Sequence, residues 1–399
     1  MRNGMSTGYF EFWARTRVHC AVGVTVRLPA LLASLGAKRV LLLSDKGLEK
    51  NGLVETVASV LREAAAGNQL KLAGVYTDVS PVAGSNSVNA ATRYAREVGA
   101  DAIVALGGGA MDVAKGVKFA LAHDLEDICD ALAAGMRLES AGKPMGIAHI
   151  SIPTTAGTGS EMTNGALIIN DNTGVKALLV APYLESDIAL LDAHLTVGLP
   201  PSITADNGMS ALTHALEVLV NSASNPFTNG LALSAIELIL KALPVAVHDG
   251  RNLQAREEML QAANMACLSV ANSVLSAPVQ NCSRALEGLY QIPHGRANGV
   301  LLPVVMEELL DYYLPFSSQL AKAFSIPDGE PEPTLRKVIA RIKQLQQEVG
   351  RPTDFAEFKI ALDDMERIVM AVACDPVALL HHISPEKIAA IATRVIGNH

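Results

Sequence analysis

Residues 205–217 read ADNGMSALTHALE and carry one histidine, His214, in a run of small and apolar residues with helical periodicity. A metal-binding histidine on a helix wants a second ligand one turn away on the same face. The residue one turn earlier is Ser210, whose hydroxyl is a poor ligand for a divalent ion. Further on, APVQNCSRALEGLYQIPHGRANGVLLP (277–303) holds Gln280, Arg284 and His294, the last directly after a proline at an expected helix start. An imidazole so placed can be a ligand, a general acid or base, or a hydrogen-bonding partner. A histidine retained for packing is the plain alternative.

Two other stretches suit a nucleotide. ALGGGAMDVAK (105–115) sets Gly107, Gly108 and Gly109 between an apolar run and an expected helix. Glycines there admit a phosphate to the backbone, and the helix start stabilises its charge. Asp112, a further candidate cofactor contact, and Lys115 fall on the first turns, where solvated charge is the simple alternative reading. SIPTTAGTGSEMTNG (151–165) follows another apolar run with Thr154, Thr155, Thr158 and Ser160, a loop dense in hydroxyl and backbone donors. LLLSDKG (41–47) ends an earlier run in Asp45. A carboxylate at a strand end can accept from ribose hydroxyls and repels a 2′-phosphate, so it favours NAD over NADP.

The elements that must hold these groups follow from the pattern of apolar residues. Runs at 39–45, 71–79, 100–109, 145–155 and 187–193 read as strands, and segments such as LEKNGLVETVASVLREAAAG and SVNAATRYAREVGA between them as helices. Uninterrupted apolar strands alternating with helices predict a parallel sheet covered on both faces. After LTVGLPPSITADNG the texture turns helical, over 202–222, 227–247, 253–275, 297–313 and 332–348, with SIPDGEPEP (325–333) as a surface loop. The expected organisation is an α/β dinucleotide-binding domain over 1–197 and an all-α domain over 198–399. YFEFWA (9–14) reads as a further strand near the N-terminus.

Composition narrows the partners. The chain has 399 residues, half of them hydrophobic and 18% charged, which suits a packed two-domain enzyme. A net charge of −8 argues against nucleic acid. The five cysteines, Cys20, Cys129, Cys267, Cys282 and Cys374, form no C-x-x-C pair, as in a reducing cytoplasm. The N-terminus MRNGMSTGYFEFWARTRVH lacks the apolar core of a signal peptide, and no apolar run is read as long enough to cross a bilayer.

Taken together, the chain resembles the iron-containing (group III) alcohol dehydrogenases over most of its length. The motifs that carry this are FEFWARTRVHCAVGV, GAKRVLLLSDKGLEKNGLVE, GGGAMDVAK, PTTAGTGSEMT, LPPSITADNGMSALTHALE and IPHGRANGVLLPVVMEE, of which PTTAGTGSE and GMxALTHAxE are the most specific. The resemblance implies a Rossmann-like α/β domain plus a helical domain, the dehydroquinate synthase-like fold. It also implies a homodimer, hydride transfer between an alcohol or aldehyde and NAD(P), and Fe²⁺ or Zn²⁺ at the substrate. It places Lys176 near the cofactor. The family's four metal ligands match Ser210, His214, Gln280 and His294, so a carboxylate and an imidazole are replaced. A further family histidine beside the nicotinamide matches Arg284, and GGGAMDVAK is one residue shorter than usual, with Ala110 at a common serine.

Two imidazoles alone do not assemble a tight site. Asp206 is no substitute, since eight helical residues put it about 12 Å along the axis from His214. The expectation is a relative with a metal held weakly or not at all, in which Arg284 polarises a carbonyl oxygen or clamps a substrate carboxylate, sulfonate or phosphate. His214, His294 and Gln280 then complete the catalytic group. The other readings are a lyase or isomerase using bound NAD transiently, and a non-catalytic cofactor-binding homologue.

Overall fold

The computed structural model describes residues 9–65, 70–80, 82–133, 143–273, 277–375 and 382–396. The first eight residues of the expected N-terminal stretch, and the ends of the expected helices at 66–67 and 274–275, lie outside these. The chain divides into two compact units, Ala14–Thr155 with Gly159–Val197, and Met1–Trp13 with Ala156–Thr158 and Gly198–His399.

The first unit is built on a six-stranded sheet of β1 (Arg17–Cys20), β2 (Arg39–Leu43), β3 (Lys71–Tyr76), β4 (Ala102–Leu106), β5 (Ala148–Ile152) and β8 (Ile188–Leu191). Its order is β1-β8-β5-β4-β2-β3 and every pairing is parallel. Its helices are α1 (Leu28–Ser34), α2 (Lys46–Lys50), α3 (Leu53–Ala65), α4 (Ser85–Glu97), α5 (Gly108–Ala122) and α6 (Cys129–Ala133). Alternate residues of each central strand serve different cores, which is why the strands read as unbroken apolar runs. Leu41, Leu43, Ile103 and Ala105 pack with Val88, Ala91, Val113 and Val117 of α4 and α5. Val40, Leu42, Val104, Ile150 and Ile188 pack with Leu28, Leu32, Val57 and Leu61 of α1 and α3. The chain runs outward from β2 to β3, then returns to place β4 on the other side of β2. The strand order therefore reverses between β2 and β4.

Three features depart from expectation. The segment 9–14 forms no strand; Trp13 is fastened instead by Asn272, whose side chain accepts from its N–H at 2.8 Å and donates to its carbonyl at 3.0 Å. One edge of the sheet is instead β1, too short in RVHC to show a period. An antiparallel hairpin, β6 (Gly165–Asn170) with β7 (Val175–Val180), follows the second donor-rich loop.

The second unit is helical: α7 (Pro201–Leu219), α8 (Pro226–His248), α9 (Leu253–Ala271), α10 (Pro278–Tyr290), α11 (His294–Glu308), α12 (Leu310–Tyr313), α13 (Ser317–Ala323), α14 (Pro331–Glu348), α15 (Met365–Ala373) and α16 (Pro385–Ile396). Prolines in the first turns of α7, α8, α10 and α14 sit where a missing N–H is harmless. This also moves the start of α14 into the expected loop at 325–333. Contrary to the sequence reading, α8 is long and apolar enough to cross a membrane. Its Ala232, Ala235, Ile236, Ile239 and Leu243 are buried in the helical core.

Candidate functional site

The α/β unit brings three of the motifs to one point. Asp45, Gly107 and Thr154 follow β2, β4 and β5, adjacent strands of the sheet. Gly107 has φ +94°, a conformation that suits glycine. A Cβ there would strike Leu48 Cδ1 and lie 3.5 Å from Thr154 Oγ1 and 3.6 Å from Asp45 Oδ2. The three residues thus surround the start of α5 at the carboxyl edge of the sheet, where the strand order reverses and open α/β sheets bind ligands. Beside Gly108 a Cβ would meet nothing within 4 Å. Asp45 Oδ1 accepts from Leu48 N–H at 3.0 Å and so caps α2.

The charges on α5 are not solvated, contrary to the plain reading. Lys115 is fully buried, and its Nζ donates to Ser160 O (2.7 Å), Ser160 Oγ (3.1 Å), Thr163 Oγ1 (2.8 Å) and Gly165 O (2.7 Å). Asp112 Oδ1 accepts from Ser160 Oγ at 2.8 Å, and Oδ2 from Leu167 N–H at 3.4 Å. Asp112 and Lys115 therefore fasten the threonine-rich loop and the hairpin to α5. Lys176 lies exposed on β7, opposite Ile169. Thr155 is half-buried and Thr158 exposed, the latter grouped with the helical unit.

In the helical unit Ser210, His214, Gln280, Arg284 and His294 lie on α7, α10 and the first residue of α11. Gly295 lets α11 start hard against α7, since a Cβ there would stand 2.7 Å from the Asp206 carbonyl oxygen. The rings of His214 and His294 come within 6.4 Å, centroid to centroid. Asn298, one turn into α11, joins them to Ser210. Its Nδ2 donates to Ser210 Oγ at 3.0 Å and to His294 Nε2 at 3.2 Å. Nε2 is then the acceptor, and the ring proton sits on Nδ1, which faces Glu287 Oε2 and Ser283 Oγ, each at 3.4 Å. Asp206 is held by Arg351 at 2.6 and 2.8 Å.

His214 is half-buried, with its Nδ1 enclosed and unpartnered, and desolvation of the ring pushes its pKa down to about 3. The charges of His294 and Arg284 add to that shift, while a hydrogen bond to the Gly157 backbone opposes it. At neutral pH His214 is therefore a neutral acceptor. Glu217, three residues on, is fully buried. Its Oε1 accepts from the N–H groups of Val279 (2.7 Å) and Gln280 (3.4 Å), the orphan donors of α10, and Oε2 has no partner. Burial pushes this carboxyl up to about 8, against the pull of those N–H groups and of Arg284.

The two shifts act on stability with opposite sign. Unfolded His214 takes a proton below its ordinary 6.5 while the folded state refuses it down to about 3, so stability falls as pH drops through that window. Folded Glu217 keeps its proton up to about 8 while the unfolded group loses it above 4.5, so stability falls as pH rises between those values. Each limb approaches about 1.4 kcal/mol per pH unit for one proton, and the two cancel in the overlap. Glu217→Gln keeps an oxygen for Val279 and removes the proton. The expected result is a flattened alkaline limb in urea midpoints measured from pH 5 to 9; an unchanged slope would exclude Glu217 as its source.

As ligands for a divalent ion these residues offer two imidazoles, a hydroxyl and an amide. Among the described residues no three His, Cys, Asp or Glu side chains are grouped to hold a metal. Sequence reasoning missed Glu217, Glu287 and Asn298. Glu217 lies one turn from His214 within ALTHALE, and Asn298 one turn from His294 within HGRANG, and that spacing was the available signal.

Comparison with known proteins agrees with this architecture. A family model described as iron-containing alcohol dehydrogenase matches residues 15–193, and one for the C-terminal part of the Fe-containing alcohol dehydrogenase family matches 204–394. Long-chain-alcohol dehydrogenase 1 of Geobacillus thermodenitrificans is 38% identical over 291 residues, 72% of this chain and 70% of that protein. The 1,3-propanediol dehydrogenase of Klebsiella pneumoniae is 34% identical over 323 residues, 80% of each. The crystal structure of a 1,3-propanediol oxidoreductase aligns with TM-score 0.86 at 29% identity, over 97% of this chain and 100% of that one.

Proposed function

The chain belongs to the iron-containing alcohol dehydrogenase family, and from that premise we propose that it moves a hydride between NAD(H) and a small polar alcohol or its carbonyl product, with His294 exchanging the proton. It is an oxidoreductase of CH–OH groups with NAD(P) as acceptor. The observation that carries the finer reading is the meeting of Asp45, Gly107 and Thr154 where the strand order reverses. Gly107, Gly108 and Gly109 give the pyrophosphate access to the start of α5. The Asp45 carboxylate takes the ribose hydroxyls and disfavours a 2′-phosphate.

The nicotinamide, when bound, supplies or accepts the hydride. His294 handles the proton: Glu287 and Ser283 hold its Nδ1–H, and Nε2 takes the alcohol proton once the alcohol oxygen replaces Asn298 as its partner. An imidazolium so formed is stabilised by the Glu287 carboxylate. His214, neutral through the physiological range, offers its unpartnered Nδ1 as an acceptor to the substrate and does not act as an acid.

The family resemblance also implies Fe²⁺ or Zn²⁺, and the donor set here does not fit such an ion. A tight site requires three or four anionic or imidazole ligands. Ser210 and Gln280 are neutral, and His294 Nε2 is turned to an amide donor. The reading therefore routes no step through a metal.

The nucleotide assignment is tested with Asp45→Ser, which retains a capping oxygen for α2. NAD⁺ affinity by calorimetry is expected to fall about 10-fold, the worth of a charge-assisted hydrogen bond, with NADP⁺ affinity unchanged or improved. Equal losses for both would remove Asp45 from the ribose site.

A further inference from the structure

Arg284 is half-buried on α10 and forms no hydrogen bond or ion pair among the described residues. The acids around it do not neutralise it. Glu217 forms no ion pair with the guanidinium; its Oε1 is turned to the N–H groups of Val279 and Gln280 at the start of α10. Glu287, on the same helix, faces His294. A partly desolvated cation without a counter-ion is unfavourable unless something else supplies the charge.

Gln280 precedes Arg284 by one turn, on the same helical face. Its side chain is only 7% exposed, and its Nε2 is buried without a partner. Buried amide hydrogens are nearly always satisfied, so this one marks a place for an absent acceptor. A planar guanidinium fork and an amide N–H together exceed the acceptor capacity of one neutral carbonyl oxygen. They match a group with two or three anionic oxygens.

We infer that the substrate carries an anionic oxygen group, a carboxylate or its sulfonate or phosphate equivalent, held by Arg284 and Gln280 while its hydroxyl or carbonyl end faces His294. This rests on the dehydrogenase reading, and it assigns Arg284 to holding the substrate's charged end. The enzyme then acts on hydroxy and oxo acids in preference to uncharged alcohols and aldehydes.

The test pairs aldehydes matched in length with and without the charge, glyoxylate against acetaldehyde and 4-oxobutanoate against butanal, with NADH and the whole protein. At least one anionic member is expected to exceed its partner in kcat/KM by about 10- to 100-fold, the worth of a charge-assisted hydrogen bond. In Arg284→Met that ratio falls toward one, chiefly through KM, and Arg284→Lys, which keeps the charge but loses the fork, lies between. Wild-type ratios near one, or ratios that Arg284→Met leaves unchanged, overturn the subsite and leave the dehydrogenase reading standing. If none of the four turns over, calorimetry with 4-oxobutanoate decides. Binding that Arg284→Met abolishes upholds the subsite and overturns the dehydrogenase reading, and absence of binding overturns the subsite.

Discussion

Replacing His294 by glutamine is expected to lower kcat by about 10²- to 10⁴-fold, the usual contribution of a positioned general acid or base, while NAD⁺ affinity stays within about twofold of wild type. The expectation follows from the ring's surroundings. Nδ1 lies 3.4 Å from both Glu287 Oε2 and Ser283 Oγ, and Nε2 receives one hydrogen bond from Asn298. A glutamine amide can occupy the volume and keep a bond to Asn298, but it cannot take up a proton. Glu287→Gln should produce a smaller loss and a displaced pH profile of kcat, because it weakens stabilisation of the imidazolium without removing the base. The outcome that would refute the assignment is near-normal turnover of His294→Gln across pH 6 to 9.

The legible part of this molecule is the part whose packing is repetitive. Unbroken apolar runs such as RVLLL and AIVAL are what strands buried on both faces require, and the α/β class followed from them. The short RVHC strand offers no period to read, and residues 165–180 form a hairpin whose partners are local rather than part of the main sheet. In the helical unit the motif GMxALTHAxE was legible, and the family with it, because residue type and spacing suffice to show it. The pairing of His294 with Glu287 was not. It depends on the turn after α10, where Gln291 takes φ +56° and reverses the chain between them, a conformation that non-glycine residues adopt rarely and that composition does not announce. Lys115 misled for the related reason that its four acceptors come from a loop 45 to 50 residues away.

The purified protein is expected to contain well under one equivalent of iron or zinc and to retain NADH-linked turnover after dialysis against a chelator. The converse engineering carries the larger effect. Ser210→Asp places a carboxylate one turn before His214 on the same face of α7, and Gln280→His adds an imidazole from α10. With His214 and His294 the double variant offers one carboxylate and three imidazoles, a set that suits Zn²⁺ or Fe²⁺. Loss of even an outer-shell partner costs metal sites about 10- to 100-fold in affinity, so adding two direct ligands should raise Zn²⁺ affinity by at least that factor over wild type. An aspartate at 210 also gives the Asn298 amide a charged acceptor, which frees His294 Nε2 for the ion. Elemental mass spectrometry and zinc titration of both proteins read the result. One tightly held equivalent in the wild type, with activity lost on chelation, would return the metal to the reaction and reduce Arg284 and His294 to supporting roles. Metal in the double variant alone would show that the fold can still seat an ion and that residues 210 and 280 decide whether it does.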